Sequence, residues 1–238
     1  MSMTIVKHVT GAALLCLSLA ASAGDSSPFA VPDADPWQRS ELLGKLATVS
    51  QADPRRGKEL HEGLMCASCH GPSGVSPSRN YPHLAGQRAE YTYKQLLDYR
   101  SGRRHEGTGQ AQIMYKLTQL LDEQDMRDLA AYYASEPLPV AANEGGAHPP
   151  VPDIARRGDP GRLLTACASC HGLHGQGGLN ETPALAGQEP AYFIRTMGAF
   201  RDAARRNDLY EGMAQFAQHL SDAEIEALAD YYARVSPR

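Results

Sequence analysis

The sequence predicts an all-α protein made of two similar halves in tandem, and three observations carry that prediction. The second half repeats the first at a nearly constant offset, apolar residues recur at helical spacing behind recognisable caps, and no segment alternates convincingly like a strand. Composition agrees. The 238 residues suit one large domain or two small ones, and 21% charged residues of mixed sign belong to a folded chain. A formal charge of −4 gives no electrostatic footprint for a nucleic-acid backbone, and 22 Gly with 16 Pro point to long loops between short helices.

The N-terminus reads as an export signal. Residues 1–23 hold one basic residue, Lys7, then an apolar run over 11–20 and an Ala21-Ser22-Ala23 end, the pattern of a cleaved signal peptide. The run is too short to cross ~30 Å of hydrocarbon. Leu15 before Cys16 does not fit a lipoprotein site. Cleavage leaves four cysteines and 22 basic against 27 acidic residues, a formal charge of −5 on a soluble, exported protein. Residues 24–54 form an extension with no repeat counterpart, containing Trp37 and an expected helix over 41–49. The first domain is expected over 55–136, a Pro-rich linker over 137–153 and the second domain over 154–238.

The repeat justifies the helices in order. Gly57 falls on Gly158, and the first helix of each half is expected to follow that glycine and run into a cysteine motif. A second helix is expected over Ala89–Ser101, with its equivalent over 190–202, where Pro190 suits a first turn. The last helix begins at an Asp122 cap in the first half and at Ser221-Asp-Ala-Glu224, a capping box, in the second. Its expected buried face is Met126, Leu129, Ala130 and Tyr133, matching Ile225, Leu228, Ala229 and Tyr232. Roughly 90 residues per half cannot build a large core from these helices alone, so a bound group must supply apolar bulk.

The cysteines identify that group. They fall as Cys66-Ala-Ser-Cys69-His70 and Cys167-Ala-Ser-Cys170-His171, and C-x-x-C-H attaches c-type haem. Two thiols one helical turn apart add across the vinyl groups on one porphyrin edge, and the adjacent His offers its imidazole to the iron. Export makes two disulfides the default reading of four cysteines, and redox pairs or a zinc site also use C-x-x-C. None of these needs a His directly after each pair. Two covalent haem c groups are therefore expected, on Cys66, Cys69, Cys167 and Cys170, with His70 and His171 as iron ligands.

The repeat also selects the sixth ligand. Met1 and Met3 leave with the signal, while Met126 aligns with Ile225, Met197 with Leu96 and Met65 with Ala166. Only Met114 and Met213 align with each other, each on an expected loop seven residues before the Leu that introduces the last helix. A His/Met pair raises the potential and leaves no open coordination site, which suits electron transfer rather than activation of a small molecule. The Pro82 and Pro183 carbonyls are expected to accept the Nδ1–H of His70 and His171. His83 aligns with Ala184 and is expected at the surface or the haem edge; His61, His105, His148, His174 and His219 have no repeat partner and are expected exposed. Lys94, Arg195, Arg100 and Arg201 either pair with haem carboxylates or make a solvated helix face. Tyr91, Tyr192 and the pairs Tyr132–Tyr133 and Tyr231–Tyr232 are expected against haem or at the domain interface.

With the Pro-x-Leu-Ala-Gly-Gln blocks at Pro82 and Pro183 and the Tyr-Tyr-Ala endings, these motifs resemble the cytochrome c4 family from about residue 55 onward. That family comprises tandem di-haem class I cytochromes c of the bacterial periplasm, often loosely attached to the inner membrane. The resemblance implies two class I cytochrome c domains, each a few short helices wrapped around a covalent haem c, packed about a pseudo-two-fold with haem propionates near the interface. It implies the ligands His70 with Met114 and His171 with Met213, supported by Pro82 and Pro183. It also implies a periplasmic carrier of single electrons between redox proteins, a terminal oxidase among them, without a small-molecule substrate and at most peripheral to the membrane. Two alternatives stay open: a haem subunit fixed to a dehydrogenase, as in flavocytochrome c sulfide dehydrogenase, and a di-haem enzyme oxidising sulfur compounds. The matched Met pair speaks against the latter.

Overall fold

The computed structural model describes residue 31 and residues 34–139 and 150–235. The expected signal, most of the expected linker and His148 lie outside the described residues. Within them the fold is helical, with one isolated bridge between Asp159 and Leu164 and no named strand.

The extension forms α1 (Arg39–Ala47) and a 3₁₀ turn (Thr48–Gln51), close to the helix expected over 41–49. It belongs to the first half's core. Leu42 is fully buried, Leu46 and Trp37 nearly so, and all three pack in one cluster with Tyr93, Leu97 and Met126. Trp37 Nε1–H donates to Asp98 Oδ1, and the Arg103 guanidinium lies 3.9 Å over the centre of the indole.

The first half continues with α2 (Pro54–Gly63), α3 (Ala67–His70), α4 (Ala89–Ser101), α5 (Gly109–Thr118) and α6 (Glu123–Ser135). Asp53 caps α2 ahead of Pro54 at its first position, and Asp122 with Asp125 closes a capping box on α6. The second half contains α7 (Asp153–Arg156), a 3₁₀ turn (Pro160–Arg162), α8 (Ala168–His171), α9 (Pro190–Arg201), a second turn (Leu209–Glu211), α10 (Gly212–Ala217) and α11 (Asp222–Arg234). Ser221 and Glu224 make the expected capping box on α11. The eight residues expected on the inner face of α6 and α11 are all buried.

Neither half has a helix that runs into its motif as expected. In the first half α2 stops at Gly63, and Met65 at φ +60° turns the chain before the separate one-turn α3. In the second half the equivalent of α2 is missing. Gly158 adopts φ +72°, and Asp159-Pro160-Gly161 turns tightly, closed by the bridge to Leu164. Asp, Pro and Gly each favour a turn, and Pro160 supplies no N–H to a helix; the first half has the helix formers Lys58-Glu59-Leu60 in those places.

One bidentate contact between the halves is made twice. Gln87 Nε2–H donates to the Ala184 carbonyl (3.0 Å) and Gln87 Oε1 accepts from the Ala184 N–H (2.8 Å). Gln188, its repeat partner, does the same to His83, the repeat partner of Ala184, at 3.1 and 2.9 Å. The contact is self-complementary, as at a two-fold dimer interface.

Candidate haem centres

Each centre is built from a one-turn helix. Cys66 and Cys167 stand at the N-caps of α3 and α8, and Cys69-His70 and Cys170-His171 close them. The glycine after each His leaves the helix at φ +76° (Gly71) and +83° (Gly172), a conformation that a Cβ would strain. None of the four thiols is bonded to another, so the disulfide reading finds no support among the described residues. Burial pushes the Cys66 and Cys167 thiols above their ordinary pKa, which keeps them neutral at neutral pH.

The two histidines have matching environments. His70 Nδ1 lies 3.1 Å from the Pro82 carbonyl oxygen and His171 Nδ1 lies 3.0 Å from that of Pro183. A carbonyl only accepts, so each contact is a hydrogen bond when the proton is on Nδ1, leaving the Nε2 lone pair for a metal. Burial drives both imidazole pKa values down, with the proline carbonyls pulling partly the other way. A neutral imidazole with a fixed tautomer is the form a metal requires.

Both histidines line a cavity of about 510 Å³ that also takes in Cys66, Cys69, Cys170, Met114 and Met213. A second void of about 80 Å³ touches Cys167, His171 and Met213. The methionines sit on helices rather than the expected loops: Met114 within α5, whose N-cap is Thr108, and Met213 in the first turn of α10. Asp208 Oδ2 accepts from the Met213 N–H at 2.6 Å and fixes that turn. Three of the four motif thiols, two neutral imidazoles and two thioethers around one cavity with walls such as Leu96, Leu129, Phe193 and Phe200, with Cys167 on the adjoining void, fit haem c.

Other candidate residues moved. His61, expected exposed, is fully buried, its Nδ1 2.8 Å from Tyr133 Oη and its ring against those of both Tyr132 and Tyr133. It shares the α2 face of Gly57, Leu60 and Leu64 at helical spacing, a signal that was available in the sequence. His219 is exposed as expected, whereas His105 and His174 are half-buried and His83 lies in the docking contact. Lys94 is 1% exposed and ion-paired with Asp98 at 2.5 Å, so it is neither a solvated residue nor free for a haem carboxylate. Arg195 donates to the Asn80 carbonyl, Arg100 pairs with Glu123 and Arg201 with Asp222. Tyr91 and Tyr192 sit at the interface, where Arg205 and Arg104 reach them from the opposite half. Sequence reasoning missed those arginines because nothing local marks them.

Comparison with known proteins agrees with this geometry. Residues 54–135 match the family model "Cytochrome c", and residues 162–231 match "Cytochrome C oxidase, cbb3-type, subunit III". A cytochrome c4 of Thiocapsa roseopersicina is 37% identical over 192 residues, covering 80% of this chain and 96% of that one. The chain belongs to the cytochrome c4 family. The crystal structure of reduced recombinant cytochrome c4 from Pseudomonas stutzeri superposes with a TM-score of 0.66 at 31% identity, over 78% of this chain and all of that one. A thiosulfate dehydrogenase electron acceptor of Stutzerimonas stutzeri (strain A1501) is 31% identical over 97% of this chain and 95% of its own length. As a cytochrome c4 the chain carries two covalently bound haem c groups in tandem class I domains. It transfers electrons between redox proteins and is not an enzyme. No helix among the described residues is long and apolar enough to cross a membrane.

Proposed function

We propose that this cytochrome c4 is an exported periplasmic carrier in which both irons keep His/Met ligation through the redox cycle. His70 with Met114 and His171 with Met213 are the axial pairs, Cys66, Cys69, Cys167 and Cys170 are the thioether links, and the Pro82 and Pro183 carbonyls orient the histidines. The observation that carries this is the duplication of the whole set: the same His–carbonyl contact at 3.1 and 3.0 Å, with one methionine from each half lining the same cavity. The haem supplies a one-electron Fe(III)/Fe(II) couple when bound. The chain contributes fixed donor atoms and a dry pocket. Met213 is held through Asp208 and each imidazole through a backbone carbonyl, so little has to move when an electron arrives. The outlying boundaries fit this reading: a signal peptide over 1–23, an extension over 24–54, domains over 55–136 and 154–238, and a linker over 137–153.

The test is the visible spectrum of the purified protein, oxidised and then reduced, with haem counted per chain. Two haems with a full-strength far-red sulfur-to-ferric-iron band are expected. Met114→Ala or Met213→Ala should halve the band, lower one potential and admit CO at one haem; an unchanged spectrum in both variants overturns the ligand set.

One observation favours a second reading of the partner. The thiosulfate dehydrogenase electron acceptor aligns over 97% of this chain, against 80% for the Thiocapsa cytochrome c4, so the likeness extends into the extension. On that reading the electron donor is a sulfur-compound dehydrogenase rather than a respiratory complex feeding a terminal oxidase. Rapid reduction on mixing with thiosulfate and such a dehydrogenase, and none with thiosulfate alone, would favour it.

A further inference from the structure

The chain reaches its two distal methionines by different routes. The repeat partners Gly102 and Ala203 mark the same point, just past α4 and α9. From there Met114 lies twelve residues on and Met213 only ten. The first half takes its longer route without strain. Its left-handed residues are glycines, Gly102 at φ +85° and Gly107 at +65°, and Thr108 then caps α5 well ahead of Met114. The second half has Ala203, Tyr210 and Glu211 in the left-handed region, at φ +56°, +58° and +53°, with no glycine among them. A Cβ crowds its own backbone there, and L-residues visit the region singly rather than in succession.

Tyr210 is 71% exposed, so its ring packs on little that could offset its backbone. A strained pair of this kind persists only where the surroundings over-determine it, and here the segment is anchored at both ends. At one end the Asn207 amide donates to Asp98 Oδ2 at 2.5 Å and its carbonyl accepts from Lys94 Nζ at 2.6 Å, both residues lying on α4 of the first half. At the other end stands Met213, whose N–H donates to Asp208 Oδ2 across the kink at Tyr210 and Glu211. That second anchor is the weaker. Asp208 Oδ1 is buried without a hydrogen-bond partner, which costs free energy and works against the contact. Helix α10 is six residues long, begins at Gly212 and has no side-chain cap, whereas α5 has ten residues and the Thr108 cap. Strain in the segment is therefore relieved most readily at Met213.

We propose that Met213 is the displaceable member of the two distal ligands, and that the strained segment from Asn207 to Gly212 makes the second haem a binding site for a small neutral nitrogen donor. The exchange breaks an iron–sulfur bond and forms an iron–nitrogen bond, with the oxidation state unchanged. Once the Met213 sulfur lets go, Tyr210 and Glu211 are free to return to an ordinary backbone region, and that relief offsets part of the cost of exchange. Met114 has no such help, because no non-glycine residue between it and Gly102 stands at positive φ. Without a competing donor Met213 stays bound in both oxidation states. The inference adds to the carrier reading and rests on its assignment of Met213.

The test titrates the ferric holoprotein with imidazole and follows the far-red sulfur-to-iron band. The parent should lose the band in two equal steps, the first at about tenfold or more lower imidazole concentration. Met114→Ala leaves only the Met213 band and Met213→Ala only the Met114 band, so the early step should appear in Met114→Ala and the late one in Met213→Ala. Variants at Tyr210 tie the difference to strain, since Asn tolerates the left-handed region better than Tyr and β-branched Val tolerates it worse. Tyr210→Asn should weaken imidazole binding in the early step by about threefold or more, and Tyr210→Val should strengthen it by a similar factor, with the late step unmoved in both. Equal titrations in the parent, Tyr210→Asn and Tyr210→Val overturn the proposal, as does earlier loss of the Met114 band. A band that neither methionine variant halves overturns instead the ligand assignment on which the proposal rests.

Discussion

At Gly57 the backbone of α2 comes against that of α6. A Cβ there would lie 2.0 Å from the Asp128 carbonyl oxygen, and neither main chain can yield cheaply. Gly44, in the middle of α1, has nothing within 4 Å of the same position. The two glycines should therefore respond oppositely to alanine. Gly57→Ala is expected to cost about 1–3 kcal/mol or more by overpacking, and Gly44→Ala to add about 1 kcal/mol by helix propensity. Urea unfolding of the holoprotein checks both; equal effects at the two positions would mean that the α2–α6 contact is looser than described. At this scale the sequence was legible where chemistry is local. Cysteine spacing, the adjacent histidines and the proline carbonyls could be read directly. His61 could not be placed by asking for a repeat partner, since it is carried on α2, which packs on α6 and has no equivalent in the second half.

Helix α11 shows how an element compensates for a missing neighbour. Where the first half has α2 across α6, the second has only a 3₁₀ turn, and Arg162 ties that turn to the start of α11. Its guanidinium donates to Glu224 at 2.6 Å, to Asp159 at 2.6 Å and to the His219 carbonyl at 2.9 Å. Hydrogen bonding from Arg162, then from the Ser221 cap, outweighs the opposing effect of burial and holds the Glu224 carboxyl down to about 2. A carboxyl whose folded pKa lies below its unfolded value of about 4.5 contributes stability that is full above pH ~4.5 and is lost as pH falls through about 2. Acid should therefore loosen the α11 end of the second half within that window, and Glu224→Gln should make the second half less stable at neutral pH but flatten its acid response. Hydrogen exchange of α11 amides across pH 5 to 2 reads this; the same acid profile in parent and variant would dismiss the link. The capping box at Ser221 and the cap at Asp122 were legible, because each lies within four consecutive residues. The turn at Asp159-Pro160-Gly161 was equally local, yet the repeat argued for a helix there, and turn chemistry overrode the homology of position.

On the scale of the whole molecule, what the sequence concealed was reach across the halves. The glutamine that ends each Pro-x-Leu-Ala-Gly-Gln block is visible as a repeat, but that it hydrogen-bonds the opposite block is a fact of docking. The same holds for Arg104 with Tyr192 and Arg205 with Tyr91, pairs separated by about a hundred residues. Removing one glutamine leaves a backbone N–H and carbonyl of the other half without their partner, at a cost of about 1–3 kcal/mol for each group left buried. Gln87→Ala and Gln188→Ala should therefore each loosen the docking and slow electron exchange between haems, with similar effects because the bonds are equivalent. Rapid-mixing reduction of the partly reduced protein would show it; if exchange is unaltered in the double variant, docking is held elsewhere.

The docking bond carries a historical implication. A bond that two non-identical surfaces evolve has no reason to appear twice with donor and acceptor exchanged, whereas two copies of one surface cannot avoid it. The arrangement is that of a homodimer whose subunits have been written into a single gene. Fusion would have replaced a concentration-dependent encounter with a permanent one, and only then could the halves diverge, one exchanging a helix for a turn while the paired glutamine contacts between them stayed equivalent.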